Sequence, residues 1–459
     1  MTIAAETQLL RHVLETEEDA IPASAKQAAR RFLFDTLAVG LAGSAHPAQP
    51  GLLSAASRWG AGAEAGIWGE TARLPAAQAA FVNAFQAHAL EFDAIHEAAV
   101  VHVMTPTLAA ALAEAERQSA LGRPVAGSQF LAALVLGVDL ACTIGAAARG
   151  PMRFFRPATA GMFGAYGAVA RLRGFDAARG AAGAGLMLGQ IPGTMQAHHE
   201  GSIALAVQMG FAAAAAFRAA DLAEAGVSGP LAWLTGPSGF LEMTEAGHDL
   251  EPGLAALGRD WQVTHLAHKP FPSGRLTHPA IDGVQRLMAR GGMDPGRIRE
   301  VRLHLPPLAM RLVGRPLVPE LTENYARLCL PYVVATTLRF GTVGLQDFTP
   351  ARLSDPATLA LALRVRVMED GTSDPNAVVP QTVGIIGEEG LAARVVVEAA
   401  LGSPANPLTE AAQMAKAEAC AAAARHPMPP ERLRQLATRV EALACAPDVA
   451  ALAKALGPV

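Results

Sequence analysis

No two of the four cysteines in this chain (Cys142, Cys329, Cys420 and Cys445) stand close enough in sequence to form a CxxC pair. That spacing gives neither a disulfide framework nor a cysteine zinc cluster, and it reads as reduced thiols in a cytoplasmic protein. Charge is scarce as well. Only 17% of the 459 residues are charged and the net charge is −4, so no general attraction to nucleic acid or to an anionic membrane is expected. A clean membrane-spanning run of about 20 apolar residues is missing too. The stretch at 130–148 is interrupted by Asp139 and that at 203–217 is too short, so both read as helices buried in a soluble core. The first residues alternate charged and apolar positions at helical spacing, without the basic and continuously apolar regions of a signal peptide. Neither a Walker lysine nor a GxSxG elbow occurs, which leaves phosphate transfer and serine hydrolysis unsupported.

What the chain has is a hydrophobic content of 51%, a core-rich globular composition in a chain long enough for two domains. Helical period dominates from residue 5 to about 265, with segments at 24–43, 76–90, 106–121, 127–148, 159–173, 176–189 and 203–221. Alanine and glycine at the contact positions allow close helix approach. GAAGAGLMLGQ (180–190) follows no strand, so it reads as helix packing and not as a dinucleotide fingerprint. The character changes at HKPFPSGRLTHP (268–279), where two prolines and a glycine break any helix. Beyond it, 299–306 and 363–371 alternate like half-buried strands, 382–400 reads as a hairpin turning at Glu389-Gly390, and 328–340 and 355–363 stay helical. Residues 403–424 and 430–456 return to helix. The expected fold is therefore mainly α with an α+β second domain. A helical domain is built from 1–267 and the return segment 403–459, interrupted by an α+β insertion at 268–402.

Two stretches concentrate chemistry. EFDAIHEAAVVH (91–102) places three acids and two histidines in an otherwise apolar context. Its HExxxxH spacing is not the HExxH of zinc peptidases, because six residues of helix turn the two imidazoles about 240° apart. No metal site is expected. Thr105 and Pro106 read as the cap and first turn of the next helix, whose free N–H groups attract an anion beside His102. The second stretch supplies Lys269, Arg275 and His278 on a rigid turn at the junction of the two regions, a preferred place for ligands.

EFDAIHEAAVVH, KPFPSGRLTHPAIDG, LCLPYVVATTLRFG and GSPANPLTEAAQMAK, taken in order, resemble the MmgE/PrpD family over about residues 24–424. That family includes 2-methylcitrate dehydratases, cis-aconitate decarboxylases and iminodisuccinate epimerase. The resemblance implies a cofactor-free homodimeric enzyme, its α+β domain a lid, that holds a small polycarboxylate in the cleft between domains. Carried over by motif, Asp93, His102, Lys269 and Tyr332 are the implied catalytic residues. His96, Arg156, Arg275 and His278 are the implied substrate contacts. The chain departs from the pattern at Leu205 and Gln208, where the family commonly has a lysine and a histidine, and at Arg156, where it commonly has a histidine.

The shared chemistry is proton removal beside a carboxylate, with the resulting negative charge stabilised by fixed positive groups. His102 is the expected base or acid, because imidazole titrates near working pH, and Asp93 is expected to orient it. Tyr332 or Lys269 would serve the opposite face. The expected function is a cofactor-independent lyase for a di- or tricarboxylate. An epimerase and an inactive binding homologue stand as alternatives.

Overall fold

The computed structural model describes residues 4–458 apart from 292, 293 and 389. It is mainly α, with an α+β second region. Small residues explain how the helical part closes. A Cβ added at Gly43 would lie 1.8 Å from the carbonyl oxygen of Gln86, so the Ala23–Gly43 and Ala76–His88 helices touch backbone to backbone there. Ala76–His88 packs on Ala204–Glu224 and on Met104–Ala120, and Gly161–Leu172 packs on all of these but the first. Gly127–Ala146 and Ala204–Glu224 are long and apolar enough to cross a membrane by composition. Both are instead largely buried against neighbouring helices in one hydrophobic core.

The α+β region is organised around a four-stranded sheet in the order Val365–Glu369, Glu300–Leu305, Gln381–Gly387, Gly390–Val397. The first pair is parallel and the others are antiparallel. Val301, Leu303 and Leu305 alternate inward along the second strand, which buries one face of it as the period-two pattern requires. His278–Ala289 covers that sheet and also packs on Leu330–Phe340. The last two strands form the expected hairpin; of its turn, Glu389 lies outside the described residues. The chain then returns to the helical region, where Glu410–Ala422 packs on Ala23–Gly43.

One local expectation fails. The helix Met104–Ala120 starts before Thr105 and not after it, and Val103 provides no side-chain cap. Thr105 instead donates its hydroxyl to the Asp93 carboxylate, and its N–H reaches the carbonyl of His102. At the helix start expected to hold an anion beside His102, the Thr105 and Thr107 N–H groups are thus taken up by the His102 and Val103 carbonyls.

Candidate active site

The 91–102 segment folds as a tight irregular turn between two helices. Glu91 and Val100 both adopt positive φ, at 50° and 53°. This is unusual for any residue with a Cβ and strained for a β-branched one, costing on the order of 1–3 kcal/mol each. The turn is fixed from outside. Ile95 and His96 pair antiparallel with Ala267 and Leu266, which brings the second chemical stretch alongside the first. Lys416 of the return helix donates to the carbonyl of Phe92 at 2.9 Å and pairs with Asp35 at 2.7 Å. Gly402, at φ 90°, lets the returning chain lie against the His268 carbonyl, 2.3 Å from where a Cβ would stand.

This scaffold assembles a buried cluster of five titratable groups. Asp93 is fully buried and receives His88 Nδ1 at 3.0 and 3.1 Å on its two oxygens. His102 Nδ1 lies 3.1 Å from Asp93 Oδ2, within ion-pair distance but out of line for a regular hydrogen bond. Lys269, also fully buried, donates to Glu91 Oε2 at 2.8 Å and to the Glu91 carbonyl at 3.1 Å, and stands 3.9 Å from Asp93 Oδ1. His88 Nε2 closes the ring at 3.4 Å from Glu91 Oε1.

The charges follow from this geometry. Burial opposes a charge on His88, but Asp93 and Glu91 outweigh it and raise its pKa to about 9. Burial also opposes ionisation of Asp93 and Glu91. The imidazoles of His102 and His88 in the first case, and Lys269 and His88 in the second, still hold both carboxyls well below the usual range. His102 goes the other way, because burial, with help from Lys269 and His88, outweighs the pull of Asp93 and lowers its pKa. At neutral pH the cluster is thus two ion pairs beside a neutral imidazole. With Nδ1 facing Asp93, Nε2 of His102 is the nitrogen available to a bound molecule.

His102 and Glu91 open into a cavity of about 60 Å³ that is also lined by Glu97, Arg275 and His198 and otherwise mostly by apolar side chains. His88, Asp93 and His102 have the composition of a metal triad and offer atoms within 4.8 Å of one another. Their carboxylate, however, already accepts bonds from His88 and Thr105 and lies beside an ammonium, an arrangement that hydrogen bonds and ion pairs account for.

Of the residues singled out in the sequence, the structure brings Asp93, His102 and Lys269 together in the buried cluster, and of these three and Arg275 only His102 and Arg275 line the cavity. The others stand apart. Tyr332 directs its hydroxyl to the Asp347 carbonyl and has its pKa pushed up to about 12 by burial. His96 accepts the Ala99 N–H on Nδ1 and donates Nε2–H to Gln262, and burial lowers it to about 4. His278 accepts from Arg275 on Nδ1 and donates to the Ser273 carbonyl, and it is held neutral by burial and by Arg275. Arg156 makes a two-pronged pair with Glu245, 3.0 Å on each side. His96, His278 and Tyr332 have their polar groups engaged by the fold, whereas Arg156 keeps a buried Nη1 without a partner between the cavity-lining residues Phe155 and Pro157. Arg275 reaches the cavity but is paired with Glu97 at 2.6 Å. Gln208 anchors the backbone at Thr194, while Leu205 lines the cavity.

Sequence reasoning missed His88, Glu91, Glu97 and His198. Glu91 and Glu97 were visible as acids in EFDAIHEAAVVH, but only the fold sets their direction. His88 closes an ordinary apolar helix and gave no signal.

Residues 7–253 match the MmgE/PrpD N-terminal domain and residues 271–442 match the MmgE/PrpD C-terminal domain. The chain belongs to the MmgE/PrpD family. Two relatives extend the comparison. A cis-aconitate decarboxylase-like protein of Aspergillus oryzae is 29% identical over 373 residues, 77% of either chain. The cis-aconitate decarboxylase of Homo sapiens is 23% identical over 357 residues, 74% of this chain and 72% of the human one. The first match covers the 91–102 stretch and the second begins at residue 271, so Lys269 lies in the interval between the two.

Proposed function

We propose that this MmgE/PrpD protein is a lyase that moves a proton at the carbon beside a carboxylate of a small polycarboxylic acid, by dehydration or decarboxylation, without a cofactor. The observation that carries the proposal is a neutral His102 at the cavity wall, backed by the Asp93 carboxylate at 3.1 Å. In dehydration, His102 Nε2 takes the proton from carbon. The electron pair left behind forms the double bond as hydroxide departs from the neighbouring carbon, taking the proton now held by the His102 imidazolium to leave as water. In decarboxylation His102 Nε2 first takes a proton from solvent, the carbon–carbon bond breaks, carbon dioxide leaves, and the electron pair left on carbon takes that proton from the imidazolium. Asp93 stabilises the imidazolium in either direction, and the positive charges of His88 and Lys269 oppose the negative charge that develops.

The names of the two relatives support a lyase over an epimerase, as does the position of Tyr332, whose hydroxyl is not free to serve a second face. The resemblance supports a homodimer, and the four free cysteines support a reducing, cytoplasmic setting. The deciding experiment incubates the protein in D2O with a panel of di- and tricarboxylic acids. Exchange with loss of water or carbon dioxide is the expected result. Exchange with inversion and no loss would assign an epimerase, and binding with no exchange an inactive homologue.

A further inference from the structure

We infer that the cavity beside His102 is a subsite for an alkyl chain, so that the acid turned over here carries an apolar substituent longer than methyl. The inference rests on the proton-transfer reading above and specifies its substrate. The polar lining of the cavity is His102, Glu91, Glu97, Arg275 and His198, of which Glu97 and Arg275 pair with each other. Leu205, Leu276, Leu308, Leu312, Val313 and Leu328 make up much of the remaining wall.

This polar lining has no surplus positive charge to receive several carboxylates inside the cavity. Glu91 is matched by Lys269 at 2.8 Å, and Glu97 by Arg275 at 2.6 Å. The remaining N–H groups of Arg275 are directed at His278 and at the carbonyls of His268, Ala400 and Leu401. His198 is held neutral by burial and by Arg315, with its pKa lowered to about 3. A carboxylate driven between the leucines would lose its hydration with no partner, which is strongly unfavourable. A hydrocarbon chain there gains instead, by about fourfold in affinity for each methylene removed from water. The reacting carbon then lies against His102, with the chain extending along the leucine wall.

The test measures kcat/KM, proton exchange in D2O and calorimetric binding for the full chain. The probes are hydroxytricarboxylic acids and their dehydrated counterparts that differ in one substituent: hydrogen, methyl, butyl or hexyl. Affinity and kcat/KM are expected to climb from methyl to butyl by about fourfold per methylene. Leu312→Ser should flatten that slope, and Leu205→Ser serves the same purpose on another wall if Leu312→Ser does not fold. Equal or better turnover of the unsubstituted acid would overturn the subsite and leave the proton-transfer reading intact. Chain-dependent binding without exchange on any acid would keep the subsite and overturn the lyase reading. Neither binding nor exchange across the series would overturn both.

Discussion

Lys269 Nζ sits 2.8 Å from one carboxylate of the 91–102 turn, Glu91, and 3.9 Å from another, Asp93. One fully buried ammonium thus holds two acids in a space that would not tolerate them alone. Removing it leaves uncompensated buried charge, which costs about 3–5 kcal/mol for pairs of this kind. Lys269→Ala is expected to lower the midpoint of thermal or urea unfolding clearly, and to lower kcat as well. An unchanged midpoint would show that the pair contributes no stability.

His102→Ala is expected to fold and to lose roughly 10²–10⁴-fold in turnover, the usual worth of a positioned acid or base. His96→Ala breaks the bonds to Ala99 and Gln262 and should show mainly as reduced stability, with kcat kept within about tenfold. Steady-state kinetics on the two purified variants separates these outcomes. A fully active His102→Ala would remove the imidazole from the chemistry.

The histidines predict opposing pH limbs for stability. His88 has its folded pKa raised to about 9, so its contribution is complete below its ordinary value of 6.5 and is lost as pH rises through 9. His96 and His268 are lowered to about 4 and His198 to about 3, chiefly by burial. Below pH 6.5 the unfolded chain takes up protons that these folded imidazoles refuse, so stability falls as pH drops toward 4. Unfolding curves between pH 4 and 9.5 should therefore show both declines. His88→Gln is expected to abolish the alkaline one.

Activity should follow a different curve. The free enzyme needs His102 neutral, and its pKa lies below the ordinary 6.5, so kcat/KM should rise and level off on the acid side of neutrality. A rise centred at or above pH 7 would assign the base elsewhere.

Chelation should change nothing. Protein treated with a strong chelator and dialysed is expected to keep its kcat, because Asp93 is already engaged by His88, Thr105 and Lys269. Loss of activity that zinc or iron restores would make His88, Asp93 and His102 metal ligands.

The stretches that carry the cluster were legible because titratable residues are rare in this chain and their crowding at 91–102 and 268–278 stands out. Helices and strands were legible from period alone, as at Ala23–Gly43 and Glu300–Leu305. Partners were not. Whether Arg156 faces a ligand or Glu245, 89 residues away, depends on tertiary packing that local spacing does not encode. Thr105 misled for a related reason. A hydroxyl before a proline is a common cap, but here a buried carboxylate competes for it and wins.

Glu91 and Lys269 are 178 residues apart in the chain, and the short pairing of Ile95 and His96 with Ala267 and Leu266 is what brings them together. Closing so long a loop is slow, and no local helix rewards it in advance. A growing polypeptide therefore makes its helices well before its chemistry. Until the later stretch emerges, Glu91 and Asp93 face each other without their ammonium, and only the finished chain brings acid, base and cation into one place.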